Sequence, residues 1–445
     1  MEGRSVRFEE GALVLDGDRR LLVAGDYPYY RDRPERWAEK LARMREAGIE
    51  VVTFYLPWRH HLVEEGDGSR RFVFSGGPGD NRDVLGFIQE VGKAGLLGLA
   101  KPGPFVHAEV QLGGLPDHFS PSHDARLEPA VSADGKPLRA QGLALPSAVT
   151  PRFLEACREW LGAVAEQVLA GRLYPSGPLL GVQLGNEGLY SDAALALDAF
   201  DYSESALRRF RSFLALRYRV IDALNVAYGT SLRSFGEVPP LKGWGGAPSL
   251  TAVLDWGEWC GHYLERVLRE WSGALGECPK LVNLPPPARG RLDAWLGRVR
   301  PERLRGLEYG FTSWVGNALE EDGAFLSYLV AARRQRGPNL EENWGFSWSD
   351  ARCVHPISPT YHALLALAAG ATGLSVYPAC ATDAWGPSIE VEPRNVEPEQ
   401  ARSGMYARPY GGEAPITVTG GRGRKFETLS LLTRFLRHEG GELVD

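Results

Sequence analysis

Apolar residues in this chain come in short runs, and the stretches between the runs carry helical spacing. The first run, residues 21–24, precedes a segment in which Pro34 stands near the first helical position and Trp37, Leu41 and Met44 recur at i, i+4 and i+7 before Gly48. Strand, helix and glycine stop follow in that order. The β-branched and aromatic run 51–55 comes next, then a helical pattern over 84–94 with Asp83 as its cap and Gly95 as its stop, then an apolar run at 96–100. After an irregular stretch over 111–149, Thr150 and Pro151 supply N-cap and first-turn signals for a helix that keeps Leu154, Cys157, Trp160, Leu161 and Val164 on one face until Gly171. A strand-like run at 179–184, a long amphipathic helix over 206–224 and another over 255–275 continue the rhythm. Strand candidates at 281–284, 304–309, 339–341 and 374–377 then alternate with helices near Leu292, near Leu326, over 359–369 and over 425–436.

Eight strand candidates separated by helices predict an α/β fold, a (β/α)8 TIM barrel, rather than a doubly wound sheet. No fixed-period repeat and no low-complexity linker divides the chain. A single catalytic domain over 21–437 is expected, with an N-terminal β-hairpin lead-in at 1–20 and a tail at 438–445.

Composition narrows the function classes. Apolar residues at 44% and charged residues at 24% are ordinary globular values. A net charge of -6 over 50 basic and 56 acidic residues leaves no basic stripe, so no nucleic-acid partner is expected. The N-terminal segment has no apolar signal core and no run approaches a membrane span, which predicts no membrane partner and a cytoplasmic location. Cys157, Cys260, Cys278, Cys353 and Cys380 are odd in number and widely spaced, which fits buried thiols. The histidines show no metal-ligand spacing and no nucleophile elbow is present, so neither a metal nor a Ser-based hydrolysis is expected.

In a (β/α)8 barrel the chemistry sits just beyond the C-terminal ends of the strands. Those positions hold Asp26, Tyr55 with Trp58, His107 with Glu109, Asn186 with Glu187, Glu308 with Tyr309, Glu341 with Glu342, and Tyr377. Carboxylates among aromatic rings suit a sugar. Glycosidic bond cleavage needs one carboxylic acid to protonate the leaving oxygen and one carboxylate to attack the anomeric carbon or activate water. Strands four and seven lie across the barrel mouth from each other, so their carboxylates can face each other over a bound sugar.

The motifs themselves are familiar. GDYPYYRDRPERWAEKLARMREAG, VVTFYLPWRHH, KPGPFVHAEV and GGLP, in that order from Gly25 to Pro116, resemble the catalytic-barrel start of glycoside hydrolase family 35 β-galactosidases. PLLGVQLGNE, residues 178–187, resembles that family's acid/base segment. The resemblance implies Glu187 as acid/base and Asn186 as the contact to the sugar 2-hydroxyl. PNLEENWGFSW resembles its nucleophile segment: counting back from Gly345 gives Glu341, and counting back from Trp344 gives Glu342. Successive strand residues point to opposite sides, so only one of the two should aim at the sugar. Glu109 and Tyr55 match residues that hydrogen-bond galactosyl hydroxyls, and Asp26, Tyr309, Trp348 and Tyr377 complete the expected binding set.

The middle of the chain, RRFRSFLALRYRVIDALNVAYGTSLRSF with LDWGEW, looks more like family 42, and the end, EAPITVTGGRGRKFETLSLLTRFL, again resembles family 35. Both families share one retaining, cofactor-independent (β/α)8 clan, clan A. The resemblance therefore implies no cofactor, a carbohydrate partner, and a retaining exo-β-galactosidase acting by double displacement. Departures at Asp26, Pro28, Leu62, His107 and Val110 keep two alternatives in view. One is a retaining glycosidase for another β-linked sugar, such as a glucoside or glucosaminide. The other is a catalytically silent carbohydrate-binding barrel, a reading to which the short chain without β-rich domains after the barrel also contributes. The stretch 111–149 suits a pocket rim or a homo-oligomer contact equally.

Overall fold

The computed structural model describes residues 4–191, 195–288, 292–314, 316–348 and 350–444, with the side chain of Trp244 left aside. Residues 1–3 of the expected lead-in and Asp445 of the expected tail lie outside the described residues. Eight parallel strands close into a barrel in chain order: β1 (Leu22–Asp26), β2 (Val51–Tyr55), β3 (Leu97–Gly103), β4 (Leu179–Leu184), β5 (Lys280–Leu284), β6 (Glu308–Thr312), β7 (Asn339–Asn343) and β8 (Gly373–Tyr377). The pairing of Gly373 with Leu22 and of Val376 with Gly25 closes the ring. The expected (β/α)8 barrel is borne out.

Helices cover the outside: α1 (Trp37–Glu46), α2 (Val84–Lys93), α3 (Pro151–Val164), α4 (Leu250–Ala274), α5 (Leu292–Arg298), α6 (Asp322–Arg334), α7 (Ile357–Ala368) and α8 (Phe426–Val444). Asp83 caps α2 by accepting from Gly86 N at 3.0 Å. Thr150 precedes α3 as expected, yet its hydroxyl donates to Ser147 O at 3.0 Å instead of capping the helix.

Several boundaries differ from the sequence reading; the helix expected over 255–275 begins five residues earlier, at Leu250. The expected helix over 206–224 is two helices, Glu204–Tyr218 and Ile221–Tyr228, broken where Arg219 takes a φ of 66°. The lead-in is a three-stranded sheet, Val6–Glu9, Ala12–Leu15 and Asp18–Arg20, rather than a hairpin. The last helix runs to Val444, so 438–444 is no tail. Val444 is buried, and its carbonyl accepts from Arg19 Nε at 2.8 Å and Arg336 Nη2 at 2.9 Å, which caps the helix on the lead-in. Strand six begins at Glu308, four residues later than expected, because 301–307 form a turn with Gly306 at φ 77°.

The barrel interior is layered. At its N-terminal end Leu22, Ala24, Val51, Leu99, Leu180, Leu281 and Leu340 pack with Leu13 and Leu15 of the lead-in, an apolar plug. Above it lies a buried polar layer. Lys101 Nζ donates to Asp26 Oδ2 at 2.8 Å, Thr53 Oγ1 donates to the same oxygen at 3.0 Å, and Ser375 Oγ stands 3.2 Å from Thr53 Oγ1. The open mouth is above that.

One irregularity positions the site. Between Asn339 and Glu341 the partner strand β6 advances only from Phe311 to Thr312, and between Asn339 and Glu342 the partner β8 advances only from Leu374 to Val376. Strand β7 thus carries one more residue than either neighbour, a β-bulge.

Candidate active site

A cavity of about 350 Å³ opens at the C-terminal mouth, walled by Glu109, Asn186, Glu187, Trp314, Glu341, Trp348 and Tyr377 among others. Glu341, the middle residue of β7, is 3% exposed. Its Oε2 accepts from Trp314 Nε1 at 3.0 Å, and its Oε1 accepts from the Tyr55 hydroxyl. Burial pushes its carboxyl up to about 7; the Lys101 ammonium opposes that shift and the Glu187 charge adds to it. Lys101 lies under this pair, 4.2 Å from the centroid of the Tyr55 ring.

Glu187 follows β4 with φ 53°, a conformation that side-chain-bearing residues seldom adopt and that turns this carboxylate into the cavity. Asn186 is fixed beside it. Its Oδ1 accepts from Asn283 Nδ2 at 2.9 Å and its Nδ2 donates to Val106 O at 3.1 Å. The Tyr55 hydroxyl has one proton to serve both Glu341 and this Asn186 oxygen, which is also 2.9 Å away.

Glu109 belongs to a second strained turn, where His107, Ala108 and Glu109 have φ of 55°, 49° and 50°. The turn is clamped by Arg31, whose Nη2 donates to Ala108 O at 2.8 Å and to Glu109 O at 2.9 Å. The guanidinium sits between Trp385 and Tyr410, 4.0 and 4.3 Å from their ring centroids. Tyr410 donates to Glu109 Oε2 at 2.7 Å, and the hydroxyls of Tyr377 and Tyr410 are 2.7 Å apart. Trp348 stacks on Trp314 at 5.8 Å with planes 6° apart, an aromatic wall beside Glu341.

Glu187, Glu341, Asn186, Glu109, Trp348 and Tyr377 are thus brought together on one cavity, with Tyr55 reaching Glu341 from below. Two expected binding residues are not there. Asp26 is fully buried beneath the floor and held by Lys101 and Thr53, so it supports the site from a layer below. Tyr309 faces away from the barrel axis: its hydroxyl donates to Ala331 O of α6 at 2.9 Å and its ring stacks on Phe311. The displacement of strand six explains this, because its C-terminal end is Thr312 and the residues beyond it are Ser313 and Trp314. Glu308, also expected at that end, starts the strand instead. Trp58 packs on Trp160 at 5.8 Å in the core. Sequence reasoning missed Trp314, which a correct strand end would have found. It also missed Tyr410, which no local pattern marks in the long segment after β8.

A closed (β/α)8 barrel whose mouth gathers two glutamates on one cavity beside a tryptophan stack has the make-up of a glycoside-hydrolase barrel. The comparisons with known proteins agree. Residues 12–127 match the model for "Glycosyl hydrolases family 35". An exo-β-D-glucosaminidase of Pyrococcus horikoshii is 28% identical over 260 residues, 58% of this chain and 32% of that protein. A β-galactosidase-1-like protein of Mus musculus is 30% identical over 216 residues, 48% of this chain and 28% of that protein. The chain therefore spans about a third of the length of the curated relatives it matches. Among solved structures, a β-galactosidase from the psychrophilic Marinomonas ef1 superposes with a TM-score of 0.68 at 16% identity, covering 95% of this chain and 61% of that one. The resemblance to β-galactosidase-like glycoside hydrolases of clan A is borne out. Among the described residues no helix is long and apolar enough to cross a membrane.

Proposed function

We propose that this barrel is a retaining exo-β-glycosidase, with Glu341 as nucleophile and Glu187 as acid/base, and that terminal non-reducing β-D-galactosyl residues are its substrate. The observation that carries the reading is the setting of Glu341: a buried carboxylate held by two neutral donors, Tyr55 and Trp314, on the same cavity as Glu187. Neutral donors orient a carboxylate without neutralising it, which leaves it free to attack the anomeric carbon. Glu187 protonates the departing oxygen, and then, as a carboxylate, takes a proton from the water that releases the glycosyl-enzyme. Asn186, Glu109 and Tyr377 are the groups that would bind sugar hydroxyls, and the Trp314–Trp348 stack would pack against a ring face.

Galactose is the first choice because the family 35 match includes Tyr55 and Glu109. A second reading, a 2-amino sugar, is favoured by a specific feature. Glu109, Glu187, Glu341 and Asp350 line the cavity, and among the described residues no Lys or Arg does. Such a wall attracts an ammonium and repels anionic sugars. The P. horikoshii relative is an exo-β-D-glucosaminidase.

The test is turnover of a panel of p-nitrophenyl β-glycosides, including the galactoside and the glucosaminide, by wild type, Glu341→Ala and Glu187→Ala, with and without azide. The proposal predicts that azide rescues Glu341→Ala to an α-glycosyl azide and Glu187→Ala to a β-glycosyl azide. Fastest turnover of the glucosaminide would transfer the substrate to the second reading. Sugar binding without turnover of any glycoside would mean a catalytically silent barrel.

A further inference from the structure

Strand β7 would aim the wrong glutamate into the cavity if its alternation were regular. Leu340 faces the barrel interior, in the apolar plug with Leu22, Val51, Leu99 and Leu281. Regular alternation from Leu340 would turn Glu341 outward and Glu342 inward. The extra residue in β7 inverts this: Leu340 and Glu341 both face in, while Asn339 and Glu342 face out and join, Asn339 Nδ2 donating to Glu342 Oε2 at 2.8 Å.

Glu342 is fully buried between the barrel and its helices, where an apolar side chain would ordinarily fill the space. It is instead surrounded by partners. Ser313 Oγ is 2.9 Å from its Oε2, the Tyr328 hydroxyl 3.5 Å from its Oε1, and His362 Nδ1 3.3 Å from that same oxygen. His362 Nε2 accepts from Ala318 N at 3.0 Å, so the ring carries its proton on Nδ1, toward Glu342. Two routes lead from this group to Glu341. Asn339 Oδ1 accepts from the Glu341 backbone N at 3.2 Å, and Ser313, 2.9 Å from Glu341 O, is the residue before Trp314, whose indole holds the Glu341 carboxylate.

We propose that Glu342, paired with His362 and bonded to Asn339 and Ser313, is a positioning residue that locks the β7 bulge and thereby aims Glu341 into the cavity. Glu342 does not touch the cavity; it acts through Glu341 and Trp314. The inference rests on the reading of Glu341 as nucleophile, and its test separates the two.

Wild type, Glu342→Gln and Glu342→Ala are compared by turnover of the best aryl glycoside per active site, the sites being counted by titration with a slow-turnover 2-fluoro glycoside. The expected result is a fall in kcat per titrated site of about 10- to 100-fold in Glu342→Ala, the scale of a misplaced catalytic group. Glu342→Gln should be intermediate, KM should stay within about threefold, and azide should rescue neither, unlike Glu341→Ala. A merely structural role would lower the number of sites or the melting temperature and leave kcat per site unchanged within twofold, and that outcome overturns the proposal. If wild type cleaves no glycoside, the nucleophile reading fails. The clamp is then decided by a crystal structure of Glu342→Gln: Glu341 still bonded to Tyr55 and Trp314 overturns it, and Glu341 swung away from them supports it.

Discussion

A carboxylate buried as deeply as Glu341 carries a conflict between stability and reactivity. Burial raises its carboxyl to about 7, above the ordinary glutamate value of 4.5, so folding takes up a proton between those limits. The sign follows directly: the stability associated with the neutral carboxyl is full below about 4.5 and is lost as pH rises through about 7. Glu341→Gln has no charge to desolvate. It should be more stable than wild type at pH 8, by on the order of 1–3 kcal/mol, with the difference vanishing near pH 4.5. Paired thermal melts at the two pH values measure this, and a gap that is independent of pH would contradict it. Of the residues expected at the site, those at or just after well-placed strand ends, Asn186, Glu187 and Tyr377, were legible because the apolar run before each one marks its end, whereas Glu109, six residues beyond β3, was legible through the KPGPFVHAEV motif. Asp26 was misread because an Asp ending a strand looks the same in sequence whether it faces substrate or a buried Lys101.

At the scale of elements, the short apolar runs located the strands and local backbone chemistry moved their ends. Strand six was misplaced because Leu304 and Leu307 look like strand residues and in fact cover a turn. The bulge in β7 left no mark in the sequence, since the two adjacent glutamates allow either register; it emerges from pairing to β6 and β8. The bulge also depends on room in β6. A Cβ on Gly310 would stand 2.4 Å from Leu340 Cδ1 and 2.9 Å from Val282 O. Gly310→Ala should therefore destabilise the protein by about 1–3 kcal/mol through overpacking and should lower kcat as well, because Leu340 adjoins Glu341 in the bulge. Denaturant unfolding and turnover on the same sample check both; a fall in stability with kcat untouched would uncouple Leu340 from the aim of Glu341.

Across the whole molecule the two ends of the barrel divide the labour. The N-terminal end is the apolar plug completed by Leu13 and Leu15, and the C-terminal end is the carboxylate-lined cavity. Leu13, 2% exposed, contributes to the first and is separated from the second by the polar layer of Asp26, Lys101 and Thr53. Leu13→Ala should cost about 2–5 kcal/mol in unfolding free energy and leave kcat/KM of the folded enzyme within about twofold of wild type. A large loss of activity at full folding would show that the plug transmits to the mouth. The β/α alternation placed the chemistry at the C-terminal ends of the strands, whereas the plug came only with the packing of the lead-in, and the long segments 111–149 and 378–425 did not reveal their parts, because irregular backbone is shaped by distant partners such as Tyr410 with Glu109.

The central claim is that Glu341, and not its neighbour, forms the covalent bond to the sugar. The most direct measurement is to trap the intermediate with a 2-deoxy-2-fluoro-β-galactosyl fluoride, digest the protein and locate the added mass by tandem mass spectrometry. One fluoroglycosyl adduct is expected, on Glu341, forming with loss of activity and released as activity returns. An adduct on Glu342, or inactivation with neither glutamate labelled, would contradict it.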